Sequence, residues 1–327
     1  GEVKQEGNAE EVQVEKMKND FELLKYMTDE KNYMVSPFSL RMAMMLAANG
    51  AEGNTQKEIL DLFGIENLNA YNEKTKELIK RYHETESVQL NIANSIWLNG
   101  SIAGSNVRFA KEYEELIANY YEGTSQIEDE NHIAKKANQW VEEKTNGKIK
   151  NMLDESEKAD FLALLINALY FKGQWANEFE KDATYPETFT DRNQKETEID
   201  FMHQTKKYDY YEDENMKMIK LPYKGYRTAM YVVLPTNEGK MDIENALGNM
   251  NNCKVELSMP KFKTEYSLSF AKLLQQLGIK EAFHQANAKF KNVMFKGVQM
   301  NHNVFIQDVL QKTFIEVDEQ GTEAAAA

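Results

Sequence analysis

The segment Phe161-Leu-Ala-Leu-Leu-Ile-Asn-Ala-Leu-Tyr-Phe171 constrains the fold of this chain more than any other stretch. It is apolar along nearly its whole length and is interrupted only by Asn167. A membrane-spanning helix needs about 20 such residues, so the run is too short for that role. It fits a strand covered on both faces at the centre of a large sheet. Covering both faces takes a large domain. The chain has 327 residues, 42% of them hydrophobic and 11% aromatic, enough for a sizeable core and incompatible with wholesale disorder. One large mixed domain is expected.

Residues 1–13 are polar, Glu-rich and aperiodic, and read as a solvated tail ahead of a domain over 14–327. A helical period opens at Val14, Met17, Phe21 and Leu24. Pro37 and Asn49-Gly50 punctuate a second helix, from Ser39-Leu40 through Met44 and Met45 to Ala48. Its methionines read as packing rather than ligands. Thr55–Leu62, Asn72–His83 and Phe109–Tyr121 are expected as helices, and Val88–Leu98 as a strand. Ile133–Lys144 is amphipathic, with Ile133, Ala137, Trp140 and Val141 on one face. After Trp175 the pattern turns to strands, at Met216–Leu221, Thr228–Leu234, Val255–Lys263 and Val309–Val317. Ser269–Leu277 is the last helix, ended by Gly278. With no repeat and no Pro- or Gly-rich linker, the chain reads as one α+β domain, helix-rich early and strand-rich late.

The formal net charge of -14 argues against nucleic acid or an anionic membrane as the main partner, since both call for a basic face. The single cysteine, Cys253, excludes an intrachain disulfide and reads as an inert, partly buried thiol. The chain opens on the polar stretch Gly1–Glu11, so the expectation is that any leader was removed before Gly1. None of His83, His132, His203, His284 and His302 forms the HExxH pair of a zinc helix. Nucleophile elbows, phosphate loops and dinucleotide fingerprints are also missing from the sequence. Ser36, beside Pro37, reads as a satisfied hydroxyl at a helix start, and the pairs Glu114-Glu115 and Glu142-Glu143 as solvated helix faces. Catalysis is disfavoured, and no metal or cofactor is expected.

Several segments in order carry a resemblance. They are Asn32-Tyr-Met-Val-Ser36-Pro37-Phe-Ser39-Leu40 with Gly50-Ala51-Glu52-Gly53-Asn54-Thr55; Leu90-Asn-Ile-Ala-Asn94-Ser95-Ile-Trp97-Leu; and Asn138-Gln-Trp140-Val141-Glu-Glu-Lys-Thr145-Asn-Gly147-Lys148-Ile149. Ile166-Asn167-Ala168-Leu-Tyr170-Phe171-Lys172-Gly173-Gln-Trp175, Leu221-Pro222-Tyr223 and Met259-Pro260-Lys261 follow. The last is Phe314-Ile-Glu-Val-Asp318-Glu319-Gln320-Gly321-Thr322-Glu323-Ala324. Together they resemble the serpin family over nearly the whole chain. The resemblance implies a large central mixed sheet, further sheets and about eight or nine helices. Its lysine-rich, cysteine-poor make-up suits a bacterial member.

The resemblance places the reactive-loop hinge at Glu319, Gln320, Gly321, Thr322, Glu323, Ala324, Ala325, Ala326 and Ala327. Physical chemistry agrees with it. In a strand Thr322, Ala324 and Ala326 would share one buried face, with Glu323, Ala325 and Ala327 on the other. Small side chains ease entry between strands, the absence of Pro keeps every N–H for the ladder, and Gly321 serves as pivot. On composition alone, Ala324–Ala327 would read as a helical or disordered tail.

The family resemblance further implies a monomeric suicide inhibitor of a serine, or sometimes cysteine, protease. Its cleaved loop inserts into the central sheet and distorts the acyl-enzyme. Ser36, Ser39 and Asn167 match the family's buried "shutter", with Gln311 where many serpins have histidine, so without a titratable switch. Trp175, Lys261 and Glu319 match the "breach", where insertion begins. For Lys261 and Glu319 an ordinary packing or surface role fits as well. The scissile bond is expected beyond Ala327, and the closing strands in a separate C-terminal fragment or in further residues. The expected setting is extracellular, periplasmic or attached to the cell envelope. The alternative is a non-inhibitory serpin-fold carrier, storage protein or chaperone, whose hinge would carry bulky, charged or proline residues. Glu319→Lys is expected to promote misinsertion or polymerisation, visible as ladders on native gels. Unchanged refolding and inhibition in that variant would count against the role.

Overall fold

The computed structural model describes residues 35–84 and 88–322, together with Leu23 and Met27. The tail 1–13, the helical period at Val14, Met17, Phe21 and Leu24, and the hinge residues Glu323, Ala324, Ala325, Ala326 and Ala327 lie outside the described residues. The first half runs α1 (Pro37–Ala48), α2 (Gly53–Leu62), α3 (Leu68–His83), β1 (Val88–Asn99), α4 (Gly100–Ala103), β2 (Arg108–Phe109), α5 (Lys111–Tyr121), β3 (Thr124–Glu128) and α6 (Ile133–Lys144). The second half runs β4 (Ala163–Gln174), β5 (Tyr185–Thr190), β6 (Glu196–Glu212), β7 (Met216–Pro222), β8 (Ala229–Pro235), α7 (Ile243–Gly248), β9 (Asn251–Pro260) and β10 (Phe262–Ser269). It ends with α8 (Ala271–Gln276), β11 (Phe295–Lys296), β12 (Asp308–Val317) and β13 (Gly321–Thr322).

The apolar run forms the centre of the main sheet, whose order is β10-β12-β13-β4-β1-β3. β4 is antiparallel to β1 along eleven residue pairs and parallel to β12 along seven. Alternation along β4 explains why both faces are apolar. Leu164, Ile166 and Ala168 face α6, packing with Ile133, Ala137, Trp140 and Val141. Trp97 of β1 meets Trp140 edge-on at 6.3 Å, an orientation favoured by the ring quadrupoles. Leu165 belongs to the core on the opposite side, with Leu40, Met42, Met44 and Met45 of α1. Pro37 sits in the first turn of α1, and the Ser36 hydroxyl caps it by accepting from the Ser39 N–H at 3.2 Å. A helix so thoroughly buried is apolar nearly all round, as the methionines foretell.

A second sheet, β5-β6-β7-β8 with β9 on the other side of β6, stands at the end of the main sheet where β4 and β12 finish. Its core of Trp175, Phe179, Met202, Tyr208, Leu221, Tyr223 and Met259 also takes in Ile315 and Val317 of β12.

Two expectations require correction. The single strand expected over Val255–Lys263 is two strands in two sheets. β9 ends at Pro260 on β6, and β10 begins at Phe262 on β12, with the Lys261 N–H on the Asp200 carbonyl between them at 2.9 Å. The β-rich pattern continues across the break because both strands are half-buried, and period alone does not report a change of sheet. Cys253 is exposed, not partly buried, since β9 presents one face to solvent. The α+β architecture of one domain stands, with eight α-helices among the described residues.

Ile166 is fully buried between β4 and α6. Ile166→Ala should therefore lower stability by about 2–4 kcal/mol, read as a lower urea midpoint with an unchanged slope.

Candidate functional site

Two polar clusters lie along the line where β4 meets β12. The first is at the middle of the ladder. Asn167 of β4 stands directly opposite Asn94 on β1 and directly opposite Gln311 on β12, so three amides form one row across three strands. All three residues, and Ser39 of α1, are fully buried. The Asn167 Oδ1 accepts from the Ser39 hydroxyl at 2.8 Å and from Gln311 Nε2 at 2.8 Å, while its Nδ2 donates to Asn94 Oδ1 at 2.6 Å. Gln311 also reaches the start of α1. Its Oε1 accepts from the Ser36 N–H and its Nε2 donates to the Ser36 carbonyl, both at 3.0 Å.

Glutamine thus makes a two-way clamp on one backbone position while still bonding Asn167. A neutral imidazole, with one donor and one acceptor, has too few groups for all three contacts. Ser36 contributes through its backbone and its helix cap. One group is left over: Asn94 Nδ2 is buried without a hydrogen-bond partner among the described residues. Such an orphan costs about 1–3 kcal/mol, so the closed row is not at its polar optimum.

The second cluster sits where the ladder ends. After Val317 the chain reverses through Asp318-Glu319-Gln320. The Asp318 carboxylate accepts from the N–H groups of Gln320 and Gly321 at 2.9 and 3.1 Å, and the Asp318 N–H donates to the Gly321 carbonyl at 2.9 Å. This turn sends β13 back between β4 and β12, antiparallel to both. Gly321 approaches β4 so closely that a Cβ would lie 2.0 Å from the Gly173 carbonyl oxygen. This steric contact by itself requires glycine there. Gly173 is itself pressed on Tyr223, whose ring a Cβ would meet at 2.8 Å.

Thr322 is buried, as the alternation on this face requires, and its hydroxyl is 2.8 Å from the Tyr223 hydroxyl. Tyr223 stacks on Trp175, with ring centroids 4.9 Å apart and planes inclined by 10°. Trp175 in turn donates its N–H to the Gln320 carbonyl at 2.8 Å and its indole Nε1 to the Asp318 carbonyl at 2.9 Å.

Glu319 is 3% exposed and Lys261 reaches it from the strand crossing, with Nζ at 2.8 and 3.4 Å from the two carboxylate oxygens. The Thr184 hydroxyl donates to the same carboxylate at 2.7 Å. Burial pushes the Glu319 pKa up, but the hydrogen bonds from Lys261 and Thr184 and the Lys261 charge outweigh it, so the carboxyl titrates below its usual value of 4.5. The same hydrogen bond raises Lys261 above its usual 10.5, against a smaller desolvation effect.

The structure therefore brings Ser36, Ser39, Asn167 and Gln311 into one network, and Trp175, Lys261, Glu319, Gln320, Gly321 and Thr322 into another. Sequence reasoning did not single out Asn94, Tyr223, Thr184 or Asp318 as members. Asn94 and Tyr223 lie inside the quoted motifs, and the pairing of β1 with β4 is the signal that places Asn94 in the row. Nothing local marks Thr184. No group of three or more His, Cys, Asp or Glu side chains that could hold a metal occurs among the described residues.

The main sheet is closed along its middle by buried amides and entered at one end by its own returning chain. The family description "Serpin (serine protease inhibitor)" matches residues 18–327. An uncharacterised serpin-like protein of Thermococcus kodakarensis is 33% identical over 325 residues, covering 94% of this chain and 73% of that protein. A serine protease inhibitor of Cyanea capillata is 30% identical, over 91% of this chain and 82% of its own length. The crystal structure of the thermophilic serpin Tengpin in its native state matches with a TM-score of 0.83 at 28% identity, over 94% of this chain and 81% of that one. The chain belongs to the serpin family. Serpins are as a rule protease inhibitors rather than catalysts.

Because the Glu319 pKa is lowered in the folded state, its contribution to stability is present above about pH 4.5 and is lost as pH falls through the lower folded value. Lys261 is raised, so its contribution is complete below 10.5 and fades only above it. The pair is intact across neutral pH. Chemical denaturation should show the advantage of the natural protein over Glu319→Gln shrinking as pH drops from 5 to 3. A difference that stays flat over that range would refute the assignment.

Proposed function

We propose that this protein inhibits a serine protease by trapping it as an acyl-enzyme while the cleaved loop inserts between β4 and β12. The observation that carries the reading is β13. Between Asp308 and Phe314, β12 pairs directly with β4, so the sheet is shut there. Past it, Gly321 and Thr322 already occupy the position between the same two strands. Loop residues continuing down that line would replace one parallel ladder with two antiparallel ones, and antiparallel pairing is the slightly more stable kind.

An inserted strand of about a dozen residues, at roughly 1 kcal/mol per hydrogen bond, would release on the order of 10 kcal/mol before ordering costs. That is comparable to the stability of a whole domain, and the reaction needs no cofactor. Thr322-Glu323-Ala-Ala-Ala-Ala327 suits the path: Thr322 occupies the buried face, and the alanines after Glu323 add little bulk. The partner is a protease, read as the serine type because the family description and the Cyanea capillata relative both carry that name. On this reading the protein acts as a monomer, outside the cell or in its envelope, where such proteases are met.

The full-length protein, incubated with a panel of serine and cysteine proteases, should form a detergent-resistant complex of summed mass with at least one serine enzyme. Thr322→Arg, which puts a large charge on the buried face, should turn it into a substrate that is cleaved without loss of enzyme. Cleavage without trapping by the natural protein across the panel would overturn the proposal.

A further inference from the structure

The hinge has an outer support. Residues 177–184 cross beside Glu319 and hold it at two points. The Phe179 N–H donates to the Glu319 carbonyl at 2.8 Å, and the Thr184 hydroxyl donates to its carboxylate at 2.7 Å. One short strap therefore grips the residue by its backbone and its side chain together. The strap has little internal structure. Its middle is a single 3-10 turn at Lys181–Ala183, where Glu180, Lys181 and Asp182 are exposed. A turn of this length does not hold its place by itself.

Phe179 anchors it in the core, and two adjacent residues of β6 hold it on either side. At the near end Gln204 Nε2 donates to the carbonyls of Asn177 and Glu178 at 3.2 and 3.3 Å. At the far end the His203 Nδ1 lies 2.7 Å from the Ala183 carbonyl, immediately before Thr184. The other ring nitrogen, Nε2, lies 2.5 Å from Glu187 Oε1 on β5. Both nitrogens face acceptors, so the arrangement is complete when each donates, and the bond to the carboxylate is then charge-assisted. Tyr185 stacks on the imidazole, with centroids 4.0 Å apart and planes inclined by 8°, which fixes the ring plane.

We propose that His203 is a positioning residue for the hinge. It fixes the Ala183 carbonyl, and through it the Thr184 hydroxyl on Glu319, so it sets how readily the hinge leaves its closed position. Gln204 does the same at the other end of the strap. The inference rests on the inhibitory reading above, since it assigns a rate-setting part in the insertion that reading describes.

The test uses the full-length protein and an acetylated peptide with the sequence of residues 322–327, which competes for the site of the inserting loop. Uptake is followed by native gel and mass spectrometry, and the rate of complex formation is measured with a protease that the natural protein traps. His203→Ala should take up the peptide about fivefold faster, the loss expected for one hydrogen bond. Thr184→Val should do the same. The double variant should be no faster than either single one, because both act through one contact. His203→Lys, which still offers donors to both acceptors, should return most of the natural rate.

A merely structural role for His203 would lower thermal stability but give rate effects that add to those of Thr184→Val. Additive effects, or unchanged uptake in His203→Ala while the natural protein takes up peptide, would overturn the inference. If His203→Ala does not fold, Glu187→Ala, which releases the other nitrogen of the same imidazole, combined with Thr184→Val carries the same comparison. A natural protein that neither takes up the peptide nor traps a protease would remove the inhibitory reading itself, and this inference with it.

Discussion

The parallel ladder between β4 and β12 is the contact on which the rest of the structure depends. It is the seam of the main sheet, and seven residue pairs close it. Backbone hydrogen bonds in a parallel pair are slanted and slightly weaker than in an antiparallel one, so side chains have to add what the backbone lacks. They do so with a row of amides. Asn94, Asn167 and Gln311 lie side by side across three strands, and Gln311 fastens the outer strand to the start of α1. The orphaned Asn94 donor shows that this closure is adequate rather than ideal. A seam that had to open would be built this way, with bonds that are numerous, neutral and exchangeable.

The second cluster differs in kind. At the end of the seam the interactions are charged and aromatic: a buried carboxylate with Lys261 and Thr184, and an indole stacked on a phenol. Buried ion pairs are weak evidence for stability, because desolvation consumes much of the attraction. They specify position well. Glu319 is held at both its carbonyl and its carboxylate, and this fixes where the chain turns back.

Much of this was legible in the sequence. The run Phe161–Phe171 placed the central strand because both of its faces are apolar, and Ile133–Lys144 placed α6 to the residue because its apolar stripe has a helical period. The members of the two clusters could be named only through the family resemblance, since a lone Asn, Gln or Ser carries no period. What stayed hidden follows one rule. Asn94 acquires its role from pairing across strands distant in sequence and Thr184 from a hydrogen bond to a residue 135 positions away, and the break at Lys261 marks a change of sheet rather than a change of propensity. The hairpin of β5 and β6 escaped separate notice for a related reason. Over 185–190 and 196–201 its two arms are half-exposed and rich in Glu and Thr, and they pair with one another.

The contact of Gly321 with Gly173 carries a consequence for kinetics. Starting a strand is the slow part of making one, because the first contact must close a loop before later contacts reward it. Here that first contact is already made, by two backbones with no side chain between them. The sheet resembles a fastener with its slider already seated. If the loop inserts as proposed, growth would proceed in one direction only, away from the turn at Asp318, and each step would be limited by the bulk of the next side chain. On the proposed insertion, the four alanines after Glu323 are then less a matter of final stability than of speed, one tooth at a time.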